Sequence, residues 1–365
     1  MVSVARRLTK PLGVKGLNFY DFFSGCGGTS RGMSAAGMAV RLGLDIDPDA
    51  AKTFRANFPG SEFICQDIRT LKISDVAHHV VRNNQPTVFG ACAPCQPFSK
   101  QNRQKKGDDV RKTLLPEFHR FVQEFRPEYI FIENVPGMQS MDKVGPFAKF
   151  IKFLKKLNYW YDYKVVMAYH YGVPQRRRRL VLIASSLGPI HIPQPTHGPG
   201  TEQLNLPTVG EWIAGLPVLR AGETNKDDPV HRAALLSELN LERISKTPVG
   251  GGREDWPEHL WLDCHRDHGG HSDVYGRMSW DKPSSALTTR CISLSNGRFG
   301  HPEQHRAISV REAACIQTFP RDFVFHGNLN SMARQVGNAV PVRMAEVFGM
   351  EFQRHYAQYL QEQVA

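Results

Sequence analysis

Cys95 stands between two prolines in Ala93-Pro94-Cys95-Gln96-Pro97-Phe98-Ser99. Prolines stiffen the backbone on both sides, so the thiol is held in one direction, and as a thiolate it could act as a nucleophile. Positive charge favours the thiolate. Lys100, Arg103, Lys105, Lys106, Arg111 and Lys112 follow closely, opposed only by Asp108 and Asp109. Cys92 and Cys95 also form a C-x-x-C, which fits a redox pair or half a zinc site, but no second C-x-x-C accompanies it. Glu133, in Glu133-Asn134-Val135-Pro136, follows the apolar run Tyr129–Ile132. Desolvation there would favour its protonated form, which could donate to a ring nitrogen of a base; a structural ion pair is the plainer reading. Gln175 leads into four adjacent arginines, Arg176 to Arg179. On a strand alternate residues share a face, so Arg177 and Arg179 would point into a site while Arg176 and Arg178 point away. Arginine forks suit phosphate and carbonyl oxygens, although a solvated basic stretch has the same composition.

A second group of residues suits a nucleotide-type ligand. Asp21-Phe22-Phe23-Ser24-Gly25-Cys26-Gly27-Gly28 sits where a strand-like run gives way to a helical one. Glycines there let the backbone approach a ligand at a helix N-terminus. Asp45 ends the next apolar run, placed for ribose hydroxyls, and Asp67 ends a third, within reach of an adenine amino group. A tight turn without a ligand would look the same locally.

These residues need a sheet to hold them. Leu17–Phe23, Val40–Ile46, Thr87–Ala91, Tyr129–Ile132 and Leu180–Ala184 are strand-like and alternate with helical stretches. Such alternation predicts an α/β fold with a mostly parallel sheet and sites at the carboxyl ends of its strands. After about Ser185 prolines and glycines become frequent, which predicts a linker and a second, irregular domain; helical periodicity returns in Met344–Gln361. The chain has 365 residues, 41% of them hydrophobic, enough for a large domain carrying a smaller one. Its net charge of +11 favours a polyanionic partner. Seven scattered cysteines suggest a reducing compartment. The basic run Met1–Lys15 has no apolar core and does not read as a secretory signal, and no run is long enough to span a bilayer. A cytoplasmic location is expected.

In this order, the blocks resemble the cytosine-C5 DNA methyltransferase family. The resemblance runs from Asp21–Gly28 through Pro94-Cys95-Gln96, Glu133-Asn134-Val135, Gln175-x-Arg177-x-Arg179 and Arg311-Glu312-Ala313-Ala314 to Gln335-Val336-Gly337-Asn338-Ala339-Val340-Pro341. It is nearest to the prokaryotic single-chain enzymes of restriction-modification or orphan type. It implies a Rossmann-like, S-adenosylmethionine-dependent catalytic domain, discontinuous over 1–188 and 331–365, and a target-recognition domain over 189–330. It further implies a cofactor site of Phe23, Ser24, Gly25, Gly27, Gly28, Asp45, Ile46, Asp67, Ile68, Pro94, Asn338, Ala339 and Val340. Phe23 would stack on adenine and Ile46 pack against it. The implied catalytic set is Cys95, Glu133, Arg177 and Arg179: Cys95 adds to carbon 6 of a flipped cytosine, Glu133 assists at nitrogen 3, Arg179 holds the carbonyl oxygen, and Arg177 supports Glu133 or a phosphate. Two departures stand out. Cys92 and Ala93 occupy positions where many relatives carry Gly and a larger residue, and Arg178 adds a charge between the two functional arginines.

The expected partner is duplex DNA, with no membrane, a monomeric enzyme, and a cognate endonuclease that forms no stable complex with it. Expected DNA contacts are Ser99, Gln101, Arg103, Lys105 and Lys106, in a loop that closes over the base, with Gln175, Arg253, Arg266, Arg277 and Arg290. Cys264, His265, His268 and His271 lack a standard second ligand pair, so no metal is expected. An RNA-directed relative, a binding protein that has lost catalysis and a thioredoxin-like redox protein are the rival readings. The long basic second domain, the intact catalytic set and the downstream blocks respectively speak against them.

Overall fold

The computed structural model describes residues 16–80, 85–93, 114–138, 145–266 and 273–364. Eight strands precede residue 186: β1 (Asn18–Phe22), β2 (Ala39–Asp45), β3 (Glu62–Cys65), β4 (Thr87–Ala91), β5 (Tyr129–Asn134), β6 (Trp160–Met167), β7 (Gln175–Arg176) and β8 (Arg178–Ser185). Seven of them form one sheet in the order β3-β2-β1-β4-β5-β8-β6. The neighbours from β3 to β5 are parallel, and β8 runs antiparallel to both β5 and β6. The mixed, mostly parallel α/β sheet expected from the strand–helix alternation is therefore present. The chain moves outward from β1 to β2 and β3, then returns across β1 to β4. This reversal opens a crevice at the carboxyl ends of β1 and β4, the usual ligand position in such sheets.

Strand alternation assigns the two faces. Tyr20, Phe22, Phe89, Ile130, Ile132, Leu180 and Leu182 are buried on one face, together with α4 (Leu114–Phe125) and α5 (Pro146–Lys156). Phe19, Val88, Tyr129, Phe131, Val181 and Ile183 are buried on the other. There α1 (Gly28–Ala35) lies against the C-terminal helix, Val342–Val364, whose Met344, Ala345, Phe348 and Phe352 face inward. The end of the chain is thereby returned to its beginning.

A third core joins Phe54 and Phe58 of α2 (Pro48–Asn57) to Val209, Ile213, Ile316, Phe319 and Phe323. The helix Val310–Ile316 starts with a reciprocal cap: Ser309 N donates to Glu312 Oε2 at 2.7 Å and Glu312 N to Ser309 Oγ at 3.0 Å. Both Glu312 oxygens also accept from Arg306 at 2.7 Å, in an ion pair closed to solvent. Burial opposes the charge on Glu312, but the Arg306 guanidinium holds its carboxyl below the usual range. The Arg311-Glu312 block is thus structural in what it touches. Among the described residues no helix is long and apolar enough to cross a membrane.

Candidate active site

The Gly-rich turn lies at the crevice. Ser24 N donates to Leu44 O at 2.9 Å, tying the turn to β2, and Phe23 leaves β1 half-buried at φ 63°. Gly27 caps α1 at φ 94°, in the left-handed region. Gly28 is needed for a different reason: a Cβ there would lie 2.5 Å from Val340 O and 3.1 Å from Ala339 Cβ. The Ala339–Val340 backbone therefore rests on the start of α1, and exposed Asn338 stands at the rim. A Cβ at Gly25 would meet nothing within 4 Å, so the space above the turn is open.

Asp45 ends β2 with its carboxylate pinned, Oδ2 by Gly25 N at 2.8 Å and Oδ1 by Asp47 N at 3.0 Å. Burial raises its pKa. Ile46 beside it is 63% exposed, an apolar side chain offered to solvent at the mouth of a polar turn. Ile68 is buried, while Asp67 is gripped by Arg69, whose hydrogen bond lowers the Asp67 pKa.

On the face that carries Phe19 and Phe131, strand register places Asp21, Cys92, Glu133 and Arg179 across β1, β4, β5 and β8. Arg179 Nε approaches buried Glu133 Oε1 to 2.6 Å. That contact lacks hydrogen-bond alignment, so the oxygen has no directed donor among the described residues. Asn134 Nδ2 donates to Ala93 O at 3.1 Å, and this bond fixes the chain next to Glu133 just before Pro94. Cys92 Sγ is 3.5 Å from Thr29 Oγ1. Burial, with Glu133 and Asp21 adding to it, keeps the Cys92 thiol well above its ordinary pKa. A thiol so held is a poor thiolate source, which disfavours the redox reading of Cys92-x-x-Cys95. Pro94, Cys95, Ser99, Gln101, Arg103, Lys105 and Lys106 lie outside the described residues.

Asp21 is sealed from solvent. One oxygen accepts from Ser30 Oγ at 2.6 Å and the other has no partner among the described residues. Burial pushes its pKa up to about 7 against the opposing Ser30 bond. Between the unfolded value near 4 and the folded value near 7 the native state binds the extra proton. Stability therefore falls as pH rises through that window, by up to about 4 kcal/mol, from roughly three pH units at about 1.4 kcal/mol each. Asp21→Asn is expected to flatten this slope, measured by urea unfolding at pH 5 and pH 8. An unchanged slope would show that Asp21 titrates normally.

A model of C-5 cytosine-specific DNA methylase matches residues 17–354. The chain belongs to this family. It is 40% identical to the Type II methylase M.HgiDII of Herpetosiphon aurantiacus, over 92% of this chain and 94% of the relative. It is 37% identical to the Type II methyltransferase M1.HphI of Haemophilus parahaemolyticus, over 90% of this chain and 85% of that one. Among solved structures, a candidate DNA modification methyltransferase from an E. coli prophage superposes with a TM-score of 0.72 at 24% identity, covering 93% of this chain and 99% of the other. The S. pombe Dnmt2 methyltransferase does so at 0.62 and 18%, covering 93% and 99%. These two establish the fold alone. This methylase is a DNA (cytosine-5-)-methyltransferase.

Within this methylase several expected contacts have other partners. Arg177 was expected beside Arg179 in the site, and it does point inward while Arg176 and Arg178 are exposed. Its guanidinium donates to the backbone carbonyls Leu287 O at 2.9 Å, Gly337 O at 3.2 Å and Ala339 O at 3.3 Å. Gln175, expected at DNA, is fully buried: its Nε2 donates to Gln317 Oε1 at 2.9 Å and its Oε1 accepts from Leu287 N at 2.9 Å. Arg277, expected to read bases, is buried and satisfies the carbonyls of Thr247, Ile244, His301 and Gln304. Burial lowers its pKa to about 10. Arg253 is buried too. For Arg177, Gln175 and Arg277 an unpaired cation or amide in the interior would be costly, so the surrounding carbonyl oxygens claim the donors. Arg290 is exposed, as is Arg266, which pairs with Glu258 and Asp263. Cys264 is exposed, and His268 and His271 lie outside the described residues.

Sequence reading missed Gln317, Asn134 and the buried role of Asp21. Gln317 had a usable signal: a lone amide within the run Ala313–Phe319, where an apolar residue would pack as well.

Proposed function

We propose that this methylase takes its methyl group from S-adenosylmethionine and transfers it to a flipped cytosine in a specific duplex DNA sequence, through a covalent adduct with Cys95. The observation that carries the reading is the Glu133–Arg179 pair at the sheet's carboxyl edge, with Asn134 tying the start of the Cys95 segment to the same strand. The crevice fits the methyl donor. Each Asp45 oxygen accepts one backbone N–H and keeps a lone pair for a ribose hydroxyl, exposed Ile46 offers an apolar surface for adenine, and Gly25 leaves room above the turn. Phe23, Ser24, Asp67, Ile68 and the Asn338–Val340 segment at the end of the helix Leu329–Asn338 would complete the enclosure, with Asp67 sharing its carboxylate between Arg69 and the adenine amino group. When bound, this donor supplies an electrophilic methyl on a sulfonium.

The chain's own residues prepare the acceptor. The Cys95 thiolate adds to carbon 6 and makes carbon 5 electron-rich. Glu133 donates a proton toward nitrogen 3, and Arg179 holds the carbonyl oxygen of the ring. After transfer the carbon 5 proton is lost, the bond from sulfur to carbon 6 breaks, and 5-methylcytosine leaves. A base inside the stack is out of reach of Cys95, so it must be extruded. Arg290, which is exposed, would contact a phosphate. The Type II names of the relatives favour a restriction-modification setting, with a monomeric cytoplasmic enzyme and a separate endonuclease.

Bisulfite sequencing of DNA from cells expressing this chain should show one short sequence context methylated at nearly every copy. Scattered or absent methylation would overturn the sequence-specific reading. In binding assays Asp45→Asn is expected to weaken S-adenosylmethionine about 10-fold or more by removing a charged acceptor. An unchanged affinity would remove Asp45 from the site.

A further inference from the structure

Gln175, Arg177 and Gln317 form one buried polar cluster where three distant segments meet. The strand β7 pairs in parallel with β9 (Ser284–Ser285), bringing Leu287 within reach of both Gln175 and Arg177. Gln317 Nε2 donates to Val336 O at 2.8 Å and Ala339 O at 3.0 Å, while its Oε1 accepts from Gln175. Arg177 bonds Gly337 O and Ala339 O, the carbonyls on either side of Asn338. The Thr288 backbone is seated directly on Gly337, where a Cβ would come within 2.0 Å of Thr288 O. Exposed Arg290 lies two residues beyond Thr288, and Arg179, paired with Glu133, lies two residues beyond Arg177.

We propose that Gln175, Arg177 and Gln317 are positioning residues that couple DNA engagement at the Thr288–Arg290 turn to the cofactor corner at Asn338. The proposal rests on the S-adenosylmethionine reading of that corner. The physical basis is a linked set of carbonyls. Arg177 holds Leu287 O and Gly337 O, Gln317 holds Val336 O, and both hold Ala339 O, all among buried side chains. The turn therefore cannot shift without straining the bonds that fix Asn338, and a ligand that fixes one edge lowers the cost of fixing the other. Such coupling is reciprocal.

The test uses the full chain, S-adenosylhomocysteine as the cofactor probe, and a duplex carrying the sequence found methylated in cells. In the wild type the duplex should tighten the probe on the order of 10-fold, and the probe should tighten the duplex by the same factor. Arg177→Lys keeps the charge but loses the fork, and Gln317→Met keeps the volume but loses the amide. Each should bring the factor to within about 2-fold of unity. General loosening of the fold would weaken both binary affinities and leave their ratio in place. A wild-type factor of one, or variants that retain the wild-type factor, would overturn the proposal. If Arg177→Lys fails to fold, Gln317→Met decides. Failure of the cofactor reading looks different, because the wild type would then not bind the probe at all.

Discussion

Cys95→Ser is expected to abolish methyl transfer, with a loss on the order of 10⁴-fold or more in single-turnover transfer of a labelled methyl group to duplex DNA. A serine hydroxyl is close in size but is hardly ionised near neutral pH, and no base adjoining Cys95 is evident in the sequence around it. Without addition at carbon 6, carbon 5 keeps its aromatic character and does not attack a methyl group. The crevice at the carboxyl ends of β1 and β4 is built chiefly from other residues, so S-adenosylmethionine should still bind the variant with affinity within a few-fold of wild type. Turnover within 10-fold of wild type would sink the covalent assignment.

Glu133→Gln is the second large effect. The amide keeps the shape but can adopt neither state of the carboxyl: it has no acidic proton to give to nitrogen 3, and it cannot carry the negative charge that pairs with partly buried Arg179. The chemical step is expected to slow by about 10²- to 10⁴-fold. Cofactor affinity should change less than about 3-fold, because Asp45 and the Gly-rich turn belong to β2 and β1, which do not pair with the Glu133 strand β5. Single-turnover rates and equilibrium binding on the same preparation separate the two. A wild-type rate with unchanged binding would take Glu133 out of the chemistry. Arg179→Ala, which removes the other half of the pair, provides the matching measurement.

Much of this site is legible in the sequence because its residues sit at ends of elements. Asp45 and Glu133 close apolar runs, and a strand that ends at a crevice delivers its last side chain there by backbone geometry alone. Alternation likewise placed Arg177 and Arg179 inward and Arg176 and Arg178 outward. It could not say what lies opposite. Arg179 meets Glu133 because β8 pairs antiparallel with β5. Arg177, one repeat earlier, lies beyond that pairing and meets the carbonyls of Leu287, Gly337 and Ala339. Residues 189–330 show the same limit more strongly. Arg277 and Arg253 look like base readers among glycines, but both are buried, and the irregular backbone around Arg277 has carbonyls unpaired by any ladder, to which its guanidinium supplies the missing donors.

The sequence by itself determined the α/β sheet, the glycine turn, the acidic strand ends and the family, because these depend on local periodicity and on residues near one another along the chain. The tertiary structure alone decided which side chains serve the site and which serve the frame. Gly28 accepts the Val340 backbone, Gly337 accepts the Thr288 turn, Arg177 binds carbonyls at least 110 residues away, and Gln317 bonds Gln175 across 142 residues. A buried polar group takes whichever partner packing brings within hydrogen-bond reach, and packing across such separations is written in no local pattern.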